Sequence, residues 1–416
     1  MKFFGMEFLK MEKFLMSEKL SEVHSDIRGP IFVEALEMQK RGIPVLKLNT
    51  GNPAAFGFKM PESVRRALSE NMDKAVGYCD FRGMPEARKA ICDYESSKGI
   101  ANITPDDIFI GNGVSELASM ITAVTLNFGD EMLIPSPSYS LWTNTVYIAG
   151  AKPVFYKCDE NSAWYPDIDD IKSKITPKTK AILIINPNNP TGALYPREIL
   201  LEIIKLAKEH GLIIFSDEIY DRLVMDGKTH TATAALAGDD VVCITLNGLS
   251  KSHCLCGFRC GWLVFSGKKE AYADIMQGMV KYASMRLCGN ALTQLIIPAA
   301  LSDTEYTRSM IIPGGRLYEQ REATARELSK IDGISFVKNS AAFYMFPKLD
   351  KARFCIKDDK KFAMDLLHEK HILIVPSSGF DWDSNDHFRI VMLPQADILA
   401  KAISDLGDFL NNYRQE

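Results

Sequence analysis

A chain of 416 residues is too long for one ordinary hydrophobic core, so a large domain with a smaller companion is the first expectation. Hydrophobic residues make up 46% and charged residues 25%, with a formal net charge of −4, the balance of a water-soluble globular protein. Scattered charges, no apolar run near the ~18–20 residues of a bilayer span, and 9 cysteines without regular spacing argue against nucleic-acid, membrane and disulfide-framework proteins. A reduced, cytoplasmic setting is expected.

Residues 1–16 are apolar and basic, but Glu7, Lys10, Glu12 and Lys13 interrupt them and no small-residue cleavage site follows. They read as an extra amphipathic turn, a short helix or a disordered tail, not a signal. From about residue 60 to 300, short β-branched runs alternate with helical stretches. Strands are expected at 108–110, 132–134, 153–156, 181–185, 212–215, 241–246 and 261–265. A helix is expected at 196–210, ended by Gly211 as C-cap. Seven strands suit one large, mostly parallel sheet covered on both faces. Beyond Thr307 the pattern changes. Pro313-Gly314-Gly315 opens a charged helix over 316–330, followed by strand-like runs at 335–338, 342–347, 371–375 and 387–391. The expected division is a large α/β domain over 52–307 and a smaller α+β domain from 1–51 and 308–416.

In an open α/β sheet, ligands bind beyond the carboxyl ends of the strands. After 108–110 comes Gly111-Asn112-Gly113-Val114-Ser115-Glu116, a glycine-rich helix entry whose free N–H groups favour a phosphate. Alone, such a turn serves equally to connect a strand to a helix. After 181–185 comes Asn186-Pro187-Asn188-Asn189-Pro190-Thr191-Gly192, a turn stiffened by two prolines. After 212–215 comes Ser216-Asp217-Glu218-Ile219-Tyr220. Its acid pair suits a metal or other cation, a helix N-cap, or a basic heterocycle. After 241–246 comes Asn247-Gly248-Leu249-Ser250-Lys251, then Arg259 between Gly257 and Gly261. A lysine just beyond a buried strand is uncommon unless it is paired or functional. Together, an imine-forming lysine, an acid for a pyridine nitrogen, an aromatic hydroxyl and phosphate donors are what a protein contributes to pyridoxal chemistry.

In these motifs, and in Asp26-Ile27-Arg28-Gly29-Pro30, Gly51-Asn52-Pro53, Gly77-Tyr78-Cys79-Asp80 and Phe388-Arg389-Ile390, the chain resembles the class I/II, fold type I, pyridoxal-phosphate aminotransferases over nearly its whole length. Within them it is most similar to the bacterial alanine (glutamate–pyruvate) type. The resemblance implies pyridoxal 5′-phosphate carried by Lys251, Asp217 on the pyridine nitrogen, and Tyr220 with Asn189 on the ring's phenolic oxygen. It implies Tyr139 stacked on the ring. The phosphate would meet Val114, Ser115, Ser250, Arg259 and, from a neighbouring subunit, Tyr78. Arg389 would bind the substrate α-carboxylate beside Asn189 and Gly51. Arg28 is the candidate cation for the distal carboxylate of glutamate, with a surface or interdomain salt bridge as its ordinary alternative. The implied reaction is ping-pong transamination of L-alanine with 2-oxoglutarate in a homodimer with composite sites. A ring cation near the imine would make the Lys251 adduct titrate below a free lysine.

Some positions depart from that pattern. His253, Cys254, Cys256 and Cys260 replace the usual aromatic and small aliphatic residues; their spacing is not that of a zinc site, and buried cysteine serves as a small apolar residue, so no metal is expected. Gly248 stands where many relatives carry a phosphate-binding hydroxyl, and Ser25 where the alanine-specific ones carry tyrosine. A different amino-acid specificity, or a β-eliminating C–S lyase on the same fold, are the competing readings. A non-catalytic pyridoxal-binding regulator would need a DNA-binding domain, for which the residues before Asp26 leave no room.

Overall fold

The computed structural model describes residues 14–416, so the expectation for residues 1–13 lies outside the described residues. Its centre is an eight-stranded sheet in the order Ile108–Gly111, Gly261–Ser266, Cys243–Gly248, Ile213–Asp217, Thr179–Ile185, Glu131–Ser136, Lys152–Asp159 and Tyr165–Pro166. All seven expected strands are present. The eighth, Tyr165–Pro166, is a two-residue antiparallel edge too short to show a periodic signal. Alternation along Thr179–Ile185 explains why the sheet is covered on both faces. Ala181, Leu183 and Ile185 enter one apolar core, whereas Ile182 and Ile184 enter another.

The helix Arg197–His210 follows its amphipathic pattern and stops at Gly211, whose φ of 65° is a left-handed cap conformation that glycine adopts without a Cβ penalty. Another core gathers Ile31, Ala35 and Met38 of the helix Pro30–Lys40 with Leu366, Ile403 and Leu406 from the C-terminal part. The strand Leu46–Lys47 pairs in parallel with Ile372–Leu373, tying the early residues to that C-terminal layer. The strand expected at 335–338 is only Ile334–Ser335, because just that pair meets a partner, Lys348–Leu349. No helix among the described residues is long and apolar enough to cross a membrane.

Only Gly261–Ser266 runs antiparallel to both its neighbours in the central sheet. Its amino end, preceded by Arg259, therefore lies at the sheet edge where Ile108–Gly111 and Cys243–Gly248 end. Gly111, Gly261 and Gly248 sit side by side in this register. They pack so closely that a Cβ on Gly248 would come 2.6 Å from the Cys260 carbonyl oxygen, and one on Gly261 2.6 Å from the Val114 nitrogen. The missing hydroxyl at Gly248 thus has a steric cause.

Candidate active site

Asp217 is the last residue of its strand and is 5% exposed. Its Oδ2 accepts a hydrogen bond from Trp142 Nε1 at 2.9 Å, and its Oδ1 a longer one from the Ile219 N–H at 3.3 Å. Burial pushes its carboxyl up to about 6, against these two bonds. No helix begins here, so the N-cap reading does not apply; the next helix is Thr233–Ala237.

Glu218 points the other way, as successive residues at a strand end must. There the buried Lys98 Nζ lies 2.6 Å from Glu95, 2.9 Å from Glu218 and 3.2 Å from Asp221. Tyr94 and Asn247 also donate to Asp221, at 2.5 and 2.7 Å. Glu218, Asp221 and His230 have the donor types of a metal site, but the Lys98 ammonium already bonds both carboxylates. The acid pair is therefore divided: Glu218 meets a cation of the chain itself, and Asp217 faces the site. Sequence reading missed Lys98, because nothing near residue 98 signals a partner 120 positions later.

Lys251 Nζ donates to the Gly51 carbonyl at 3.0 Å. Burial opposes its charge, but the phenol of Tyr344 and the thiol of Cys256 carry the free amine above its ordinary value. The Tyr220 hydroxyl lies 2.8 Å from that of Tyr344, and burial holds the Tyr220 phenol well above its ordinary value, so it stays a neutral donor.

Arg389, 2% exposed, is the most telling cation. Its Nη1 donates to Asn189 Oδ1 at 3.0 Å and its Nη2 to the Asn49 carbonyl, while Nε has no partner. Its guanidinium lies over the rings of Tyr344, 4.6 Å away, and Phe380, 4.7 Å away. Burial lowers its basicity, and among the described residues no carboxylate pairs with it. A buried arginine without an acid is costly unless its partner arrives from outside. Half-buried Tyr139 is near enough to influence both Lys251 and Arg389.

Of the phosphate candidates, the helix entry at Val114 and Arg259 come together. Val114 and Ser115 open the 12-residue helix Val114–Thr125, behind Gly113 at φ 85°. The Arg259 guanidinium packs directly on Gly113, so that any Cβ there would collide with it. Ser250 is buried nearby in the chain, its carbonyl accepting from the Cys256 thiol at 2.8 Å. Helix N–H groups with a guanidinium against them form an anion cradle. Tyr78 does not join this group within the chain; it is 83% exposed.

Arg28 ends the short turn Asp26–Arg28 and is exposed, with no ion pair among the described residues. The neighbouring Ile27 carbonyl accepts from Asn49 Nδ2 at 3.1 Å, so Asn49 links this segment to Arg389. His253 is fixed by Ser252 at 2.9 Å and the Ala300 carbonyl at 2.7 Å, and burial pushes it down to about 4. Cys254 and Cys260 are buried thiols, both pushed up to about 12 by that burial.

Residues 43–403 match the family described as aminotransferase class I and II. The chain is 49% identical over 405 residues to the glutamate-pyruvate aminotransferase AlaA of Haemophilus influenzae, an alignment covering 97% of this chain and 100% of that protein. Among solved structures, an aminotransferase from Escherichia coli has a TM-score of 0.96 at 47% identity, covering 97% of this chain and 100% of its own. An alanine aminotransferase from Pyrococcus furiosus has a TM-score of 0.90 at 38% identity, covering 95% and 100% respectively.

Proposed function

Because the chain belongs to the class I and II aminotransferases, we propose that it holds pyridoxal 5′-phosphate on Lys251 and exchanges amino groups between L-alanine and 2-oxoglutarate, in ping-pong fashion. Relatives named for glutamate–pyruvate and alanine transamination support the substrate pair. The observation that carries the reading is buried Arg389, which pairs with no carboxylate among the described residues and lies over the ring of Tyr344, whose phenol also acts on Lys251.

The residues suit the cofactor. The anion cradle at Val114 and Arg259 fits a phosphate, and the raised carboxyl of Asp217 fits a ring nitrogen that it keeps protonated. When bound, the cofactor supplies a carbonyl that condenses with amines and a ring that takes up the electrons left by a lost α-proton. Asp217 would hold a proton on the ring nitrogen, and Tyr220 and Asn189 would donate to its phenolic oxygen. Tyr139 covers the ring face. Arg389 would fix the substrate carboxylate in bidentate fashion beside Gly51, and Lys251 Nζ, once free, would take and hold the α-proton. In this reading residues 52–307 carry the cofactor, and the unit formed by 1–51 and 308–416 brings Arg389 and Arg28 to the substrate. A cytoplasmic setting belongs to the same reading, supported by nine free cysteines.

The direct test is a donor and acceptor panel. Alanine with 2-oxoglutarate should give pyruvate and glutamate; release of ammonia and pyruvate without any 2-oxo acid would instead establish the lyase. Arg28→Gln should raise KM for glutamate and 2-oxoglutarate ~10-fold or more while leaving that for alanine within about twofold. An equal change for both substrates removes Arg28 from the distal-carboxylate role.

A homodimer with composite sites completes the proposal. Tyr78 is exposed along with Met72, Val76, Met285 and Leu287, an unusual set of large apolar side chains to leave in water. Mixing inactive Lys251→Ala with impaired Tyr78→Ala subunits should restore about a quarter of wild-type activity, since half the dimers then carry one intact site. Activity no greater than the sum of the parents would exclude a shared site.

A further inference from the structure

Tyr344 lies in the strand Tyr344–Met345 and pairs with Val391, two residues beyond Arg389. Three contacts converge on this one buried side chain. Its hydroxyl meets that of Tyr220 at 2.8 Å. Its ring lies beneath the Arg389 guanidinium at 4.6 Å. Its hydroxyl also packs so closely on Gly51 that a Cβ there would collide with it.

We infer that Tyr344 is a positioning residue that couples the two halves of the site, acting through the Tyr220 hydroxyl on the cofactor and through its ring on Arg389. The inference rests on the pyridoxal-phosphate reading. Each phenol has one hydrogen. With the Tyr220 hydrogen on the cofactor's phenolic oxygen, the 2.8 Å contact is made by Tyr344 donating to Tyr220. Such a chain polarises the second bond and makes Tyr220 a stronger donor. The ring meanwhile offers its negative face to a desolvated cation, holding the guanidinium in plane for a carboxylate. The charged and titratable groups facing this pair are Lys251, Arg389 and Asp217, with Tyr139 beside Lys251 and Arg389 and Cys256 beside Lys251.

Tyr344→Phe and Tyr344→Leu separate the two actions in the cofactor-loaded enzyme. Tyr344→Phe keeps the ring, so KM for alanine should stay within about twofold. The titration midpoint of the bound visible chromophore should rise by about half a pH unit, because a weaker Tyr220 bond stabilises the deprotonated form less. Tyr344→Leu removes the ring as well and should raise KM for alanine ~10-fold. An unchanged midpoint in Tyr344→Phe overturns the hydroxyl half, and an unchanged KM in Tyr344→Leu overturns the arginine half. The absence of any chromophore on the wild-type protein would instead overturn the cofactor reading. Thermal unfolding of Tyr344→Phe within a degree or two of wild type excludes a folding defect as the source of its shift.

Discussion

Lys251→Ala should lose at least ~10⁴-fold in turnover, because in the proposed reaction it removes both the covalent tether of the cofactor and the group that moves the substrate α-proton. Borohydride should fix the cofactor to the wild-type chain at residue 251 and leave the variant unlabelled. The setting of the lysine explains the size of the effect. Its amine is half-buried, held by the carbonyl at Gly51, and no carboxylate among the described residues pairs with it. No second lysine is named by the site geometry, since Lys98 is committed to three carboxylates behind Asp217. A Lys251→Ala protein that retains a reducible link and full turnover would defeat the central assignment.

Asp217→Asn should cost ~10²-fold or more in turnover and yet make the cofactor-free protein more stable at pH 8. The first effect follows from removing the one buried carboxylate that faces the site among the described residues, where a ring cation would otherwise be unpaired. The second follows from linkage. Burial raises the Asp217 carboxyl from 3.8 to about 6, so the folded chain binds this proton more tightly than the unfolded chain. Between those two values stability falls as pH rises, by roughly 3 kcal/mol in all, and it stays at that reduced level above them. The asparagine variant escapes the penalty. Its apo form should unfold a few degrees above wild-type apo at pH 8, with the difference closing below pH ~4. Cofactor should narrow the gap, because it brings the positive partner that only the carboxylate can use. A variant that is both inactive and less stable at pH 8 would show that Asp217 does not carry a buried, unpaired charge. Stability exchanged for function at one residue is the pattern expected of an active site.

Much of the architecture was legible in the chain. Alternating apolar runs marked all seven long strands, because both faces of a parallel sheet must be buried and the runs are correspondingly continuous. Asn189, Asp217 and Lys251 just beyond strand ends pointed to the chemistry, since a parallel sheet gathers its carboxyl ends at one edge, whereas Arg389, inside the separate strand Phe388–Val391, entered only through the family resemblance. The two-residue strand Tyr165–Pro166 was invisible because two residues hold no period.

What only the tertiary structure decided was which group meets which. Asp217 meets Trp142, 75 positions away; Tyr220 meets Tyr344, 124 away; Arg389 meets Asn189 and Asn49, 200 and 340 away. Local periodicity tells which face a side chain takes, but a partner on another segment depends on strand order and register. The antiparallel run of Gly261–Ser266 likewise carries Arg259 to the helix entry at Gly113, a placement no local pattern encodes. The sequence by itself determined the kinds of groups at the site and the edge of the sheet they occupy. Their pairing came from the fold, because burial and low dielectric make each contact matter only once distant segments have closed around it.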